Sequence, residues 1–138
     1  MKKKCMKKIV AGILLSAVVV FGGTVTTFAD STASGSIGGQ TVSGSITMNL
    51  TSATAKTICT RPASITAIAQ VYYGEGIMYF YSTEEISVSG GTAVATVSRK
   101  MTDVPVVGGK GTHSVYFGSY SWRDTTDIGY VSSNAHKL

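Results

Sequence analysis

A hydrolase must bring together a nucleophile, a base and an orienting group, and this chain offers few of them. Its cysteines are Cys5 and Cys59, and its histidines are His113 and His136. His136 stands two residues from the C-terminus, a poor place to hold a base. His113 could in principle meet Cys59 or Asp127. No Gly-x-Ser-x-Gly elbow is present, and nothing beside Cys59 obviously lowers its thiol pKa. A minor hydrolase built on Cys59 and His113 is therefore the least favoured reading, and no catalytic residue is expected.

Paired carboxylates fare no better. Glycoside hydrolysis uses two carboxyl groups about 5–10 Å apart. The candidates Glu75, Glu84, Glu85, Asp103, Asp124 and Asp127 occupy turn-like contexts, which suit acids for backbone hydrogen bonding alone. Zinc needs close Cys/His pairs, which one cysteine and two histidines beyond residue 29 do not supply. Calcium needs clustered oxygen ligands. Asp124-Thr125-Thr126-Asp127 with Asp103 is the single candidate, and it reads as a structural turn. We expect no metal and no cofactor. Asn49-Leu50-Thr51 matches a glycosylation sequon, and Gly108-Gly109-Lys110-Gly111-Thr112 lacks phosphate-loop spacing and a following helix.

The aromatic residues are more informative. There are seven Tyr, four Phe and one Trp, and ten of the twelve follow residue 29. They cluster as Tyr72-Tyr73, Tyr79-Phe80-Tyr81, Tyr116-Phe117, Tyr120 and Trp122. Rings with a polar tip pack on apolar faces and still hydrogen-bond. An exposed coplanar set on a sheet can stack on sugar rings. If residues 112–122 form one regular strand, Tyr116, Tyr120 and Trp122 share a face, and these are the candidate ligand-binding residues. The competing reading places the tryptophan in a core and leaves the tyrosines covering sheet faces.

The elements that must position these rings read as strands. Residues 30–138 are rich in Ser, Thr, Val, Ile, Tyr and Gly, with only Leu50 and Leu138 as leucines. That composition favours strand over helix. Alternation is clearest over 41–50, where Val42, Gly44, Ile46, Met48 and Leu50 oppose Thr41, Ser43, Ser45, Thr47 and Asn49. Further strands are expected over 34–37, 53–60, 64–73, 77–82, 86–89, 92–98, 112–122 and 128–132. Gly38-Gly39, Gly74-Glu75-Gly76 and Gly90-Gly91 mark hairpins. Residues 100–111 read as a loop, 123–127 as a polar turn, and 133–138 as a frayed tail. Ser82-Thr83-Glu84-Glu85 fits a helix capping box, but period-two alternation follows it. The pattern predicts an all-β fold, a small antiparallel β-sandwich of seven or eight short strands. Greek-key connectivity is open, and a closed barrel is the alternative. It resembles, in architecture alone, the small exported β-sandwiches that serve as binding modules, adhesin parts or protein bacteriocins.

The N-terminus reads as a cleavable signal peptide over residues 1–29. Lys2, Lys3, Lys4, Lys7 and Lys8 form a charged start, residues 9–21 an apolar run, and Thr27-Phe28-Ala29 a cleavage site before Asp30. The lysine-heavy start suggests a bacterial source. A permanent membrane anchor wants about 20 apolar residues, a length reached only by counting two glycines and three threonines. The lipid-carrying cysteine of a lipoprotein would follow the apolar run, and Cys5 precedes it. Those five lysines also explain the basic balance of 12 Lys+Arg against 7 Asp+Glu. Without them, seven scattered cations meet seven acids. A nucleic-acid surface needs clustered cations, so no nucleic-acid partner is expected. Cys59 is left as the sole cysteine of a single domain over 30–138. It fits a buried inert thiol, an intermolecular disulfide or a nucleophile.

The function expected from these observations is a secreted or cell-surface, non-enzymatic binding module. Its partner would be polysaccharide, cell wall or another extracellular protein, with membrane contact only through the leader. The alternative is a small secreted antibacterial protein or toxin.

Overall fold

A computed structural model describes the chain over residues 29–61 and 63–138. The expected leader lies outside the described residues except for Ala29, as does Pro62. Nine strands follow: β1 (Ala29–Ile37), β2 (Gln40–Met48), β3 (Ser52–Cys59), β4 (Ser64–Glu75), β5 (Met78–Val88), β6 (Thr92–Ser98), β7 (Val106–Phe117), β8 (Tyr120–Gly129) and β9 (His136–Lys137). No helix occurs among the described residues. The fold is all-β, as the composition predicts.

The strands form two sheets, one ordered β1-β2-β3-β6 and one ordered β8-β7-β4-β5-β9. All pairings are antiparallel except β5 with β9. The two sheets share one core, and the alternation read from the sequence supplies it. Val42, Ile46 and Met48 of β2 are buried, while Thr41, Ser43, Ser45 and Thr47 between them are not. Ala53, Ala55, Ala93 and Ala95 continue this small-residue face across β3 and β6. Ile65, Val71 and Tyr73 of β4 and Val115 of β7 bring the bulk from the other sheet. Tyr73 is fully buried, and its hydroxyl is satisfied by Ser82 Oγ at 2.7 Å. Each fully buried Val or Ile contributes roughly 1.5–3 kcal/mol.

Some expected boundaries need correction. Residues 106–111 belong to β7 rather than to a loop, because Gly108, Gly109 and Gly111 pair with β4 and β8 in register. The loop is confined to residues 99–105. It is pinned by Arg99 Nη1 donating to the Val104 carbonyl (2.7 Å) and by Gly74 N–H donating to the Pro105 carbonyl (3.1 Å). The strands expected over 77–82 and 86–89 are one strand, β5 (Met78–Val88), with Ile77 in the preceding turn and Ser89 beyond its end, so the capping-box motif lies in extended chain. The polar segment 123–127 is strand within β8. The tail is not simply frayed: β9 adds to the edge of β5 beside Phe80 and Tyr81. The proposed strand over 112–122 is broken at Gly118, where φ is +62°. There the chain reverses, and Phe117 pairs with Tyr120 across a two-residue turn.

The centre of the core is polar. His113 of β7 is fully buried. Its Nδ1 lies 2.8 Å from Thr57 Oγ1 on β3, and its Nε2 lies 2.9 Å from Thr126 Oγ1 on β8. A neutral imidazole has one donor and one acceptor nitrogen. One threonine therefore accepts from the ring, and the other donates to it. The ring fits because Gly44 faces it from the opposite sheet and Gly111 flanks it. A methyl group at Gly44 would overlap the ring, and one at Gly111 would lie 2.8 Å from Nε2.

Burial lowers the His113 pKa from 6.5 to about 4, only partly opposed by the charge of Asp124. The sign follows from linkage: below pH 6.5 the unfolded chain takes up a proton that the folded core refuses. Stability from this residue is complete above pH 6.5 and is lost as pH falls to about 4, by roughly 3 kcal/mol. Urea unfolding followed across that window should show the decline. His113→Leu should lose this part of the slope, and an unchanged slope would show that His113 does not titrate in the core.

Candidate functional site

The described end of the molecule that carries the turns at residues 38–39, 60–61 and 118–119 gathers the most exposed aromatic rings. Tyr116 is 51% exposed and Tyr120 is 53% exposed. They flank the β7–β8 turn, and the turn decides where each ring goes. Tyr116 pairs with Ser64 on β4 and Ser121 on β8. Its neighbour Val115 is buried in the core, so alternation puts Tyr116 on the outer face of the five-stranded sheet. Tyr120 pairs with Phe117, on the face opposite to Tyr116.

The three residues expected to share a face therefore do not. Tyr120 and Trp122 have the same strand parity, and Tyr116 has the other, because a hairpin and not a continuous strand joins them. Trp122 also differs from Tyr120 in its surroundings. It is half-buried and packs against the core cluster. Its indole lies over Gly35 of β1, where an added Cβ would come within 2.6 Å of Nε1. Trp122 thus fills the seam between the edge strands β1 and β8.

What the structure assembles instead is a three-part stack. The Phe117 and Tyr120 rings lie 6.3 Å apart with an interplanar angle of 16°. The guanidinium carbon of Arg61 sits 4.9 Å from the Phe117 centroid. Gly38, at φ +51°, lets the β1–β2 turn pass beneath, since a Cβ there would lie 2.9 Å from Tyr120. Arg61 and Phe117 were not singled out by the sequence reading. The usable signal was the Tyr-Phe-Gly-Ser-Tyr spacing, in which a glycine-led two-residue turn pairs Phe117 with Tyr120. Arg61 comes from the distant β3–β4 connection and carries no local signal.

A second tyrosine group lies toward the other end of the five-stranded sheet. Tyr72 stacks on Tyr81 with centroids 5.4 Å apart, and Tyr79 lies 4.3 Å from Tyr130. These rings contact one another, and Tyr72 is only 4% exposed. Burial, with Tyr81 and Asp127 adding to it, raises the Tyr72 pKa above its ordinary value. This group covers the sheet more than it offers ring faces to a ligand.

The residues considered for chemistry are kept apart. His113 bonds to Thr57 and Thr126 rather than to Cys59 or Asp127. Asp124 and Asp127 differ in strand parity and lie on opposite faces of β8. Asp124 Oδ1 instead accepts the Thr125 N–H at 2.8 Å. Burial raises the Asp127 pKa, with Lys110 acting in the opposite sense from the paired position on β7. Among the described residues, no three His, Cys, Asp or Glu side chains gather at a possible metal site. Cys59 is free and 3% exposed. Asn49 of the sequon turns its Oδ1 to the Thr51 and Ser52 N–H groups at 2.8 and 2.9 Å, capping the β2–β3 turn.

No family model matches the chain, no curated protein matches it in sequence, and no solved structure matches it in fold. The stacked rings and their surroundings are therefore the basis for any functional reading.

The contrast between Trp122 and Tyr120 can be measured. Trp122→Ala should open the β1–β8 seam and cost about 2 kcal/mol of stability, seen as a lower urea midpoint. Tyr120→Ala, at an exposed position, should cost less than about 1 kcal/mol and move that midpoint correspondingly less. Equal effects would contradict the assignment of Trp122 to the seam.

Proposed function

We propose that this chain is an exported, non-catalytic binding module that holds a polysaccharide on the aromatic end formed by the β7–β8 hairpin. One observation carries the reading. Tyr116 and Tyr120 are the two most exposed aromatic rings among the described residues, and both sit on one short hairpin. Exposed rings on both sides of one turn give an extended chain that crosses the turn a ring to lie on at each side. Sugar rings present C–H faces that lie flat on aromatic rings, while the phenol hydroxyls take up sugar hydroxyls. Phe117 and Arg61 stiffen the Tyr120 side of the hairpin, which lowers the ordering cost of binding.

Export supports a ligand of this kind, because wall and capsule polymers lie outside the membrane. Export itself rests on the lysine-rich start, the apolar run and the small residues before Asp30. The secreted product should begin at Asp30, and N-terminal sequencing of protein recovered from the medium checks this. Recovery of a product that retains Lys2–Lys8 would count against it.

Binding is tested by retention on insoluble polysaccharides and on isolated cell walls. Tyr116→Ala and Tyr120→Ala should each weaken retention about tenfold, the equivalent of ~1.4 kcal/mol. Their unfolding midpoints should stay close to that of the parent. Failure of the parent to bind any polysaccharide or wall preparation would sink the proposal.

A further inference from the structure

Resting on the reading above, we propose that the polymer is acidic: a polysaccharide whose sugar rings carry carboxylates, passing over the β7–β8 turn so that it meets Tyr116 and Arg123 on the outer face and Tyr120 and Arg61 on the other.

Each exposed tyrosine has an arginine close to it. On one side of the hairpin, Arg61 lies over Phe117, whose ring stacks with Tyr120. On the other, Arg123 is two residues beyond Ser121, the cross-strand partner of Tyr116. It shares the outer face with Tyr116 and lies diagonal to it, within reach of long side chains. Both arginines are exposed. Arg61 and Arg123 make no side-chain hydrogen bond to another described residue, in contrast to Arg99 and Lys100, which donate to the Val104 and Leu138 carbonyls. A planar guanidinium that keeps its ring contact still has its N–H edge available for a carboxylate.

The seven acids of the chain lie farther from the β7–β8 turn, Asp30 among them at the start of β1, paired with Thr47. Asp124 is the nearest along the strand, one step farther from the turn than Arg123 and on the other face of β8. Glu84 and Glu85 pair with Ala69 and Ile68 midway along β4. Glu75 closes β4 at the far end, Asp103 lies in the loop entering β7, and Asp127 pairs with Lys110. Residues 30–138 carry equal numbers of acidic and basic side chains. The cationic character of this end is therefore local, and it coincides with the exposed rings.

That coincidence selects among anionic polymers. A chain of phosphodiester-linked open polyols offers charge but no ring face for Tyr116 or Tyr120. A neutral glucan offers ring faces but leaves both arginines without a counter-ion. A polyuronate offers a ring and a carboxylate in every unit, which matches one exposed tyrosine and one guanidinium on each face of the hairpin.

The experiment compares binding of the full-length chain to a polyuronate, to the same polymer after its carboxyl groups are reduced to alcohols, and to a neutral glucan. The polyuronate should bind at least tenfold more tightly than its reduced form, and added salt should weaken it, as expected for exposed charges. Arg123→Gln should lose severalfold in polyuronate affinity and leave binding of the reduced polymer unchanged, and Arg61→Gln, which also gives up the Phe117 stack, should weaken polyuronate binding severalfold more than binding of the reduced polymer. Because both side chains are exposed, circular dichroism and unfolding midpoints should match the parent. Equal affinity for the polyuronate and its reduced form, or Arg variants that bind the polyuronate as well as the parent does, overturns the acidic assignment and leaves the polysaccharide reading standing. No binding to any of the three polymers overturns both.

Discussion

A single buried imidazole ties together three strands and both sheets. His113 reaches from β7 to Thr57 on β3 and to Thr126 on β8, and it occupies space that Gly44 and Gly111 leave empty. A polar ring without partners would be costly in that position, and a charged one more so. Two threonine hydroxyls make the neutral ring acceptable and fix its orientation. Interactions of this kind specify one arrangement of the sheets, since sliding either sheet would leave a ring nitrogen unsatisfied. The surrounding alanines cannot do this, because small apolar side chains pack nearly as well in several registers.

The seams between the sheets are handled differently. Where β1 and β8 approach at their edges, Trp122 lies over the bare backbone at Gly35. Closer to the turn, Tyr120 and Phe117 cover Gly38. Glycine on one strand thus receives an aromatic ring from the other, and the seam is covered by rings rather than by hydrogen bonds. Going outward along β8, the same aromatic series passes from structural to accessible. Trp122 is half-buried, while Tyr120 is more than half exposed at 53%. A surface built this way is stiff at its base and open at its tip, a combination that suits recognition of an extended polymer.

Much of the fold was legible because alternation is a local property. The buried and exposed positions of β2 follow Val42 to Met48 without exception, and the Gly38-Gly39 turn is where the glycine pair puts it. Errors came where a local rule met a tertiary one. The glycines at 108, 109 and 111 resemble a loop, yet close approach of neighbouring groups demands two of them, Gly108 and Gly111, inside β7. At Gly108 the backbone of Tyr130 occupies the place of a side chain, and at Gly111 the His113 ring and the Thr126 hydroxyl do so. At the candidate site, the aromatic residue types were visible and their shared face was misread. Local alternation reads Gly118-Ser119 as extended chain, whereas the chain reverses there and puts Tyr116 on the other side of the sheet from Tyr120. Arg61 could not be found at all, since its place over Phe117 depends on two segments separated by more than fifty residues.

By itself, the sequence determined the strand class, the apolar face of most strands and the charge neutrality of residues 30–138, because these depend on side-chain type and on a period of two. Only the tertiary structure decided that His113 is a core bridge and that Trp122 is a seam-filler. It alone set Arg61 against Phe117 as well. The physical reason is that alternation fixes which face a side chain takes, whereas the group it meets there is supplied by a strand or turn distant in the chain.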